Sequence, residues 1–199
     1  TSAEDATIAL DTTTNAFTAA LTITTNDSSG TDADVTIDGG TTALIIAAST
    51  IDGDLTLTSG HASGITDSGT VTVGGNLAAT TDDNNGVINM GTLAVDGTIA
   101  LTTNGNGAAT VVNDAGLAFA ASTVTGALSA TATTGNITQS GVLTISGTTT
   151  LVTSANDATI TLGSANAFTG ALTITTNDAS GTDADVTIDN GTTALDIAA

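Results

Sequence analysis

The sequence predicts an all-β chain wound as a parallel β-helix, a β-solenoid with rungs of roughly twenty residues. Three observations predict it. A long stretch of the chain recurs almost unchanged. Short segments of period-two alternation fill the space between turn clusters. No large aromatic is available to centre a conventional core: Trp and Tyr are absent, and the three Phe are Phe17, Phe119 and Phe168.

The long repeat comes first, because it constrains everything else. Residues 15–48 and 166–199 align without gaps at an offset of 151 and differ at four of 34 positions: Ala19/Gly170, Ser28/Ala179, Gly39/Asn190 and Ile45/Asp196. Upstream, Asp5-Ala6-Thr7-Ile8 returns as Asp157-Ala158-Thr159-Ile160 after a one-residue shift. Residues 1–154 therefore read as one long unit and 155–199 as the start of the next. Such copies must stack along an axis, since they cannot all close around one core. The expectation is a segment of a longer parent carrying further copies.

Individual strands follow in order. Leu21-Thr22-Ile23-Thr24, Val35-Thr36-Ile37, Leu55-Thr56-Leu57 and Val71-Thr72-Val73 each place apolar residues at i and i+2 with Thr between them. Residues 93–95, 99–101, 143–145, 160–162 and 172–174 continue the pattern with Thr or Ala between. That is the signature of a half-buried strand. Gly, Asn, Asp and Ser clusters separate them, as turns require. No segment holds helical spacing over a useful length. An antiparallel sandwich array is the alternative architecture.

Composition excludes whole classes of function. Lys and Arg are absent, against twenty acidic residues of which nineteen are Asp. With no cation to neutralise phosphate, a nucleic-acid partner is not expected, nor is binding to an anionic membrane surface. No apolar run approaches the ~18 residues of a spanning helix, so no membrane insertion is expected in this segment. There is no Cys for a disulfide or thiolate site. A Gly-x-x-x-x-Gly-Lys phosphate loop cannot occur without Lys, so Gly39-Gly40 and Gly74-Gly75 read as turns.

The segment from Gly135-Asn136-Ile137-Thr138-Gln139-Ser140-Gly141 through Val142-Leu143-Thr144-Ile145-Ser146-Gly147 resembles the repeat region of large filamentous-haemagglutinin-type bacterial exoproteins. Ala155-Asn156-Asp157-Ala158-Thr159-Ile160 and Asn166-Ala167-Phe168-Thr169-Gly170 continue in the same style. The resemblance implies a right-handed parallel β-helix, export to the cell surface, and a role as stalk, adhesin or filament. The family's secretion domain is not in this segment. An Arg-Gly-Asp tripeptide is ruled out by the absence of Arg.

The candidate site residues are the acidic clusters of the two copies: Asp27, Asp32, Asp34 and Asp38, returning as Asp178, Asp183, Asp185 and Asp189. Alternation turns Val35 and Ile37 inward and Asp32, Asp34, Thr36 and Asp38 outward. Neighbouring carboxylates repel, and calcium, a hard cation taking several oxygens, relieves that repulsion. The competing reading is a solvated acidic surface that keeps the rod soluble. Two carboxylates can hydrolyse glycosides, but no Arg, Lys, Tyr or Trp is present to hold a sugar. The best cluster also occurs twice, so no enzyme is expected. His61, the only histidine, sits in a turn without a second ligand. Asn15-Ala16-Phe17 and Asn166-Ala167-Phe168 suggest an internal ring with a turn-bonding Asn.

The function expected from these readings is structural: a segment of an extracellular fibre, filament or stalk built by stacking repeats on one another or on further copies of itself. The alternative is an adhesin for a host cell, a neighbouring cell or a surface glycan. Outward Thr-x-Thr pairs such as Thr22/Thr24, Thr56/Thr58, Thr159/Thr161 and Thr173/Thr175 raise ice binding as a further alternative. Asn26-Asp27-Ser28 and Asn136-Ile137-Thr138 match the N-glycan sequon.

Overall fold

The computed structural model describes residues 1–26, 33–178 and 184–198. Among them there is no helix. The strands coil as a parallel β-solenoid of about 7 turns with roughly 21 residues per turn.

β1 (Ile8–Leu10) opens the coil. The first full turn is β2 (Val35–Asp38), β3 (Leu44–Ile46) and β4 (Ser49–Ile51), and the second is β5 (Leu55–Ser59), β6 (Ile65–Asp67) and β7 (Val71–Val73). Two turns of longer strands follow: β8 (Leu77–Asn84) with β9 (Ile88–Val95), then β10 (Thr98–Asn104) with β11 (Ala109–Asn113). The fifth turn is β12 (Leu117–Phe119), β13 (Ser122–Val124) and β14 (Leu128–Ala132), and the sixth is β15 (Ile137–Gln139), β16 (Leu143–Ile145) and β17 (Thr149–Asn156). The last is β18 (Ile160–Leu162), β19 (Ala167–Phe168) and β20 (Leu172–Asn177), after which β21 (Val186–Ile188) begins the next.

All pairings between these strands are parallel and join one turn to the next. One sheet runs β1-β2-β5-β8-β10-β12-β15-β18-β21 and the other β20-β17-β14-β11-β9-β6-β3. The corner of the coil migrates between them. Early in the chain the second sheet is bent, so β9 pairs with β6 at Ile88↔Ile65 and with β7 at Leu93↔Val71. Later the first sheet is bent, so β10 pairs with β12 at Ile99↔Phe119 and with β13 at Thr102↔Thr123.

The core is the inward half of each alternating strand, stacked into columns. Leu55 pairs with Leu77 and Leu77 with Ile99; all three are buried. Phe119 and Phe168 are wholly enclosed, while Phe17 packs against the core's edge. Leu and Ile make up most of the rest, with Val and Ala between them, which suits an interior where each residue faces the same column one turn away.

Two findings concern the repeat. β18, the counterpart of β1, lies seven positions further along the first sheet, so the long repeat is a whole number of turns. The copies are therefore in phase. Second, identical sequence takes different structure. Leu21-Thr22-Ile23-Thr24 does not form the expected strand: it makes only the isolated bridges Leu21↔Ile46 and Thr24↔Thr50. Its counterpart in β20 is a strand because β17 pairs with it. The first copy instead meets the bend between β3 and β4, so its contacts split between Ile46 and Thr50 and no continuous ladder forms.

Candidate functional site

In the first copy, positions 34–38 alternate as expected. Val35 and Ile37 are buried, Asp34 is exposed, and Thr36 and Asp38 are half-buried on the outer face. Asp27, Asp32 and Asp183 lie outside the described residues. Asp178 follows β20, Asp185 and Asp189 flank β21, and all three are exposed.

Asp34, Asp38 and Asp189 are engaged with backbone amides. Asp34 Oδ1 accepts the Asp54 amide at 2.8 Å. Asp54 Oδ1 accepts the Asn76 amide at 2.7 Å and the Asn76 Nδ2 at 3.1 Å. Asn76 Oδ1 then accepts the Thr98 amide at 2.9 Å and its hydroxyl at 2.8 Å. Each turn thus caps the amide of the next, and the run Asp34, Asp54, Asn76 climbs the coil as a ladder. Asn136, the sequon residue, repeats the device with the Thr159 amide at 2.8 Å. In the Asp34–Asp54–Asn76 run a glycine sits beside the rung because no Cβ fits: one on Gly53 would lie 2.4 Å from Asp34 Oδ1, and one on Gly75 2.2 Å from Asp54 Oδ1; at the Asn136 rung that place is taken by Ala158. The sequence signal was present in Gly53-Asp54-Leu55, Gly75-Asn76-Leu77 and Gly135-Asn136-Ile137.

Asp38 and Asp189 close a different turn, the same in both copies. Asp38 Oδ1 accepts the Gly40 amide at 2.7 Å, and Asp189 Oδ1 accepts the Gly191 amide at 2.7 Å. Both glycines are left-handed, with φ of 57° and 55°. An Asx turn leading into a left-handed Gly is the local chemistry expected of this pair. Among the described residues no three or more acidic or imidazole side chains gather as a cation would require.

Amides packed against this Asx turn carry an extended hydrogen-bond network. Asn166 donates to the Leu162 carbonyl (3.2 Å), the Asp189 carbonyl (2.9 Å) and Gln139 Oε1 (2.9 Å). Its Oδ1 accepts from the Leu143 amide and Gln139 Nε2, each at 2.9 Å. One turn on, Asn190 Oδ1 accepts the Phe168 amide at 2.7 Å. The first copy has Gly39 at that position, and there Thr42 Oγ1 takes the Phe17 amide at 3.2 Å. The turn-bonding Asn of the sequence reading is therefore present in both copies: Asn15 donates to the Leu10 and Asp38 carbonyls at 2.8 and 3.0 Å.

Outside the core, His61 is exposed and its Nδ1 accepts the Ser63 amide at 3.0 Å. It borders a shallow hollow with Phe17, Ala19, Ala43 and Ile45. Outward threonines line up in a single file, Thr58–Thr80–Thr102–Thr123–Thr144, along the first sheet. The file beside it passes from Thr56 to Ala78 and Ala100.

The final turn exposes what its counterpart buries. Val186, Leu195 and Ile197 are 40%, 43% and 54% exposed, whereas their counterparts Val35, Leu44 and Ile46 are 1%, 0% and 0%. The difference is the following turn, present over the first copy as β5 and β6.

A family model described as repeats of unknown function (DUF5649) matches residues 32–87 and 106–175, more than half of the chain. No curated protein and no solved structure matches it.

Proposed function

We propose, for a chain that belongs to the DUF5649 repeats of unknown function, that it is a structural segment of a fibre or stalk at the cell surface. The observation that carries this reading is the in-phase repeat. Two copies of one sequence stand seven turns apart on one continuous coil, which is the arrangement of a rod whose length grows by adding copies. Side-chain polar groups are spent on joining turns, as in the Asp34–Asp54–Asn76 ladder. The absence of Lys and Arg leaves trypsin-like proteases no cleavage point, which suits exposure outside the cell. The resemblance to filamentous-haemagglutinin-type exoproteins supports the same reading.

The second reading is an adhesin, and one observation favours it. Two of the four positions that differ between the copies, Ala19/Gly170 and Ile45/Asp196, belong to the hollow beside His61. Copies that keep their core and change a solvent-facing hollow are free to vary what they touch.

Electron microscopy of the purified protein separates these readings from a wrong fold. Uniform rods with an axial repeat of ~4.8 Å are expected. Rods ending in a distinct tip would move the assignment to an adhesin stalk, and compact globules would overturn both.

A further inference from the structure

We infer that Asn104-Gly105, where β10 turns into the arc before β11, is a self-modification site at which the folded coil drives loss of the Asn104 side-chain amide. The product is aspartate or isoaspartate at position 104. The inference does not depend on the fibre reading. Asn followed by Gly is the dipeptide most open to this chemistry, because glycine has no side chain to shield its amide nitrogen. Four such pairs occur: Asn85-Gly86, Asn104-Gly105, Asn106-Gly107 and Asn190-Gly191. The dipeptide is the same in all four, and the coil places each one differently.

At Asn104 the side chain is folded onto the amide that must attack it. The Gly105 amide donates to Asn104 Oδ1 at 2.8 Å, and Gly105 is left-handed, with φ of 66°. With a C=O bond of ~1.23 Å, Cγ stands within about 4 Å of that nitrogen, near the ~3–3.5 Å of an attacking pair. Both residues are exposed, so water and base reach them. The other three glycine amides are turned elsewhere. Gly86 donates to the Asp83 carbonyl at 3.2 Å and Gly107 to the Asn104 carbonyl at 3.0 Å, while Asn85 Oδ1 is held by the Asn106 amide at 2.8 Å. Asn190 is buried, with Nδ2 donating to the Phe168, Thr193 and Ala194 carbonyls at 3.2 Å each. Its Gly191 donates to Asp189 Oδ1. In the preceding turn Asn84 pairs with Asn104 but is followed by Asn85, a residue whose Cβ crowds the attack.

The reaction is redox-neutral. The Gly105 nitrogen gives its proton to hydroxide and bonds to Asn104 Cγ. The Cγ–Nδ2 bond breaks, and Nδ2 takes a proton from water and leaves as ammonia, closing a five-membered succinimide. Water then opens the ring at Cγ to give aspartate, or at the main-chain carbonyl carbon to give isoaspartate. On either route one water is consumed, one ammonia is released and one negative charge is added. The isoaspartate route also reroutes the main chain. The Asn104 carbonyl, which accepts the Asn85 and Gly107 amides at 3.0 Å each, becomes a free carboxylate, and the join between the third and fourth turns loosens.

Peptide mass spectrometry of the full chain, aged in mildly alkaline buffer and sampled over time, tests the site. A protease that cuts before aspartate releases residues 83–95, 96–113 and 189–195, which together hold all four pairs, and fragmentation separates Asn104 from Asn106. In the folded chain Asn104 is expected to exchange its amide for an acid at least about tenfold faster than the other three. A new cut before position 104 marks aspartate, and resistance there marks isoaspartate. In concentrated urea the four rates should draw together, because only the dipeptide remains. Equal rates in the folded chain, or a lead for Asn85, Asn106 or Asn190, would overturn the site. A lead for Asn104 that is unchanged in urea would overturn the part given to the fold. Asn104→Gln, whose longer amide must close a larger ring, is expected to keep the circular dichroism and abolish the change. Acid that still forms in 96–113 of that variant at the original rate would belong to Asn106 and sink the assignment.

Discussion

Thr149 sits in an inward column between Leu128 and Leu172, and its Oγ1 is buried without a hydrogen-bond partner. A hydroxyl stripped of water and given no partner costs free energy that a methyl of the same shape does not. Thr149→Val is expected to raise stability by about 1 kcal/mol, read from the midpoint of urea unfolding at unchanged slope. Asn166 is the opposite case. Its amide is fully used, and truncation leaves the Leu143 amide without an acceptor in the corner, while the Leu162 and Asp189 carbonyls each keep a backbone donor. Asn166→Ala should cost about 2 kcal/mol. A loss no larger than that of an exposed Asn variant would mean that water replaces the side chain there.

At the scale of single turns, glycines separate into those the coil requires and those it tolerates. Gly64 has φ of 60°, and a Cβ there would stand 1.8 Å from the Val87 carbonyl oxygen of the next turn. Gly91 has nothing within 4 Å of an added Cβ. Gly64→Ala is therefore expected to destabilise by roughly 2 kcal/mol or more, and Gly91→Ala to stay within about 0.5 kcal/mol of the parent; thermal melts of the two variants side by side decide it. The same scale shows what sequence could reveal. Strands with Thr between Leu, Ile or Val, such as β5 and β7, were legible because alternation marks both faces. β8 and β14 were not, because Ala79, Ala130 and Ala132 take inward places and Ala carries little contrast with an outward Thr or Ser. The outward direction of Asp34 was legible too. Its partner was not: the Asp54 amide lies one turn on, and alternation within a strand holds no information about register between turns.

Along the whole molecule, stability is a sum over turns and the interfaces between them, and the repeat supplies an internal control for that statement. β2 and β21 carry the same Val-Thr-Ile, yet β2 is held between β1 and β5 while β21 pairs with β18 alone. If local sequence governed strand stability, the two would behave alike. If neighbouring turns govern it, they must differ. Val35→Ala removes a side chain enclosed on both sides and is expected to cost about 2 kcal/mol, whereas Val186→Ala should cost under about 0.5 kcal/mol. Hydrogen exchange carries the same contrast without mutation. The amides of Val35–Asp38 should exchange only through opening of adjacent turns, and those of Val186–Ile188 by fraying of one edge, at least about a hundredfold faster. Equal protection of the two strands would mean that the turn's own sequence, and not its stacking, holds the coil together.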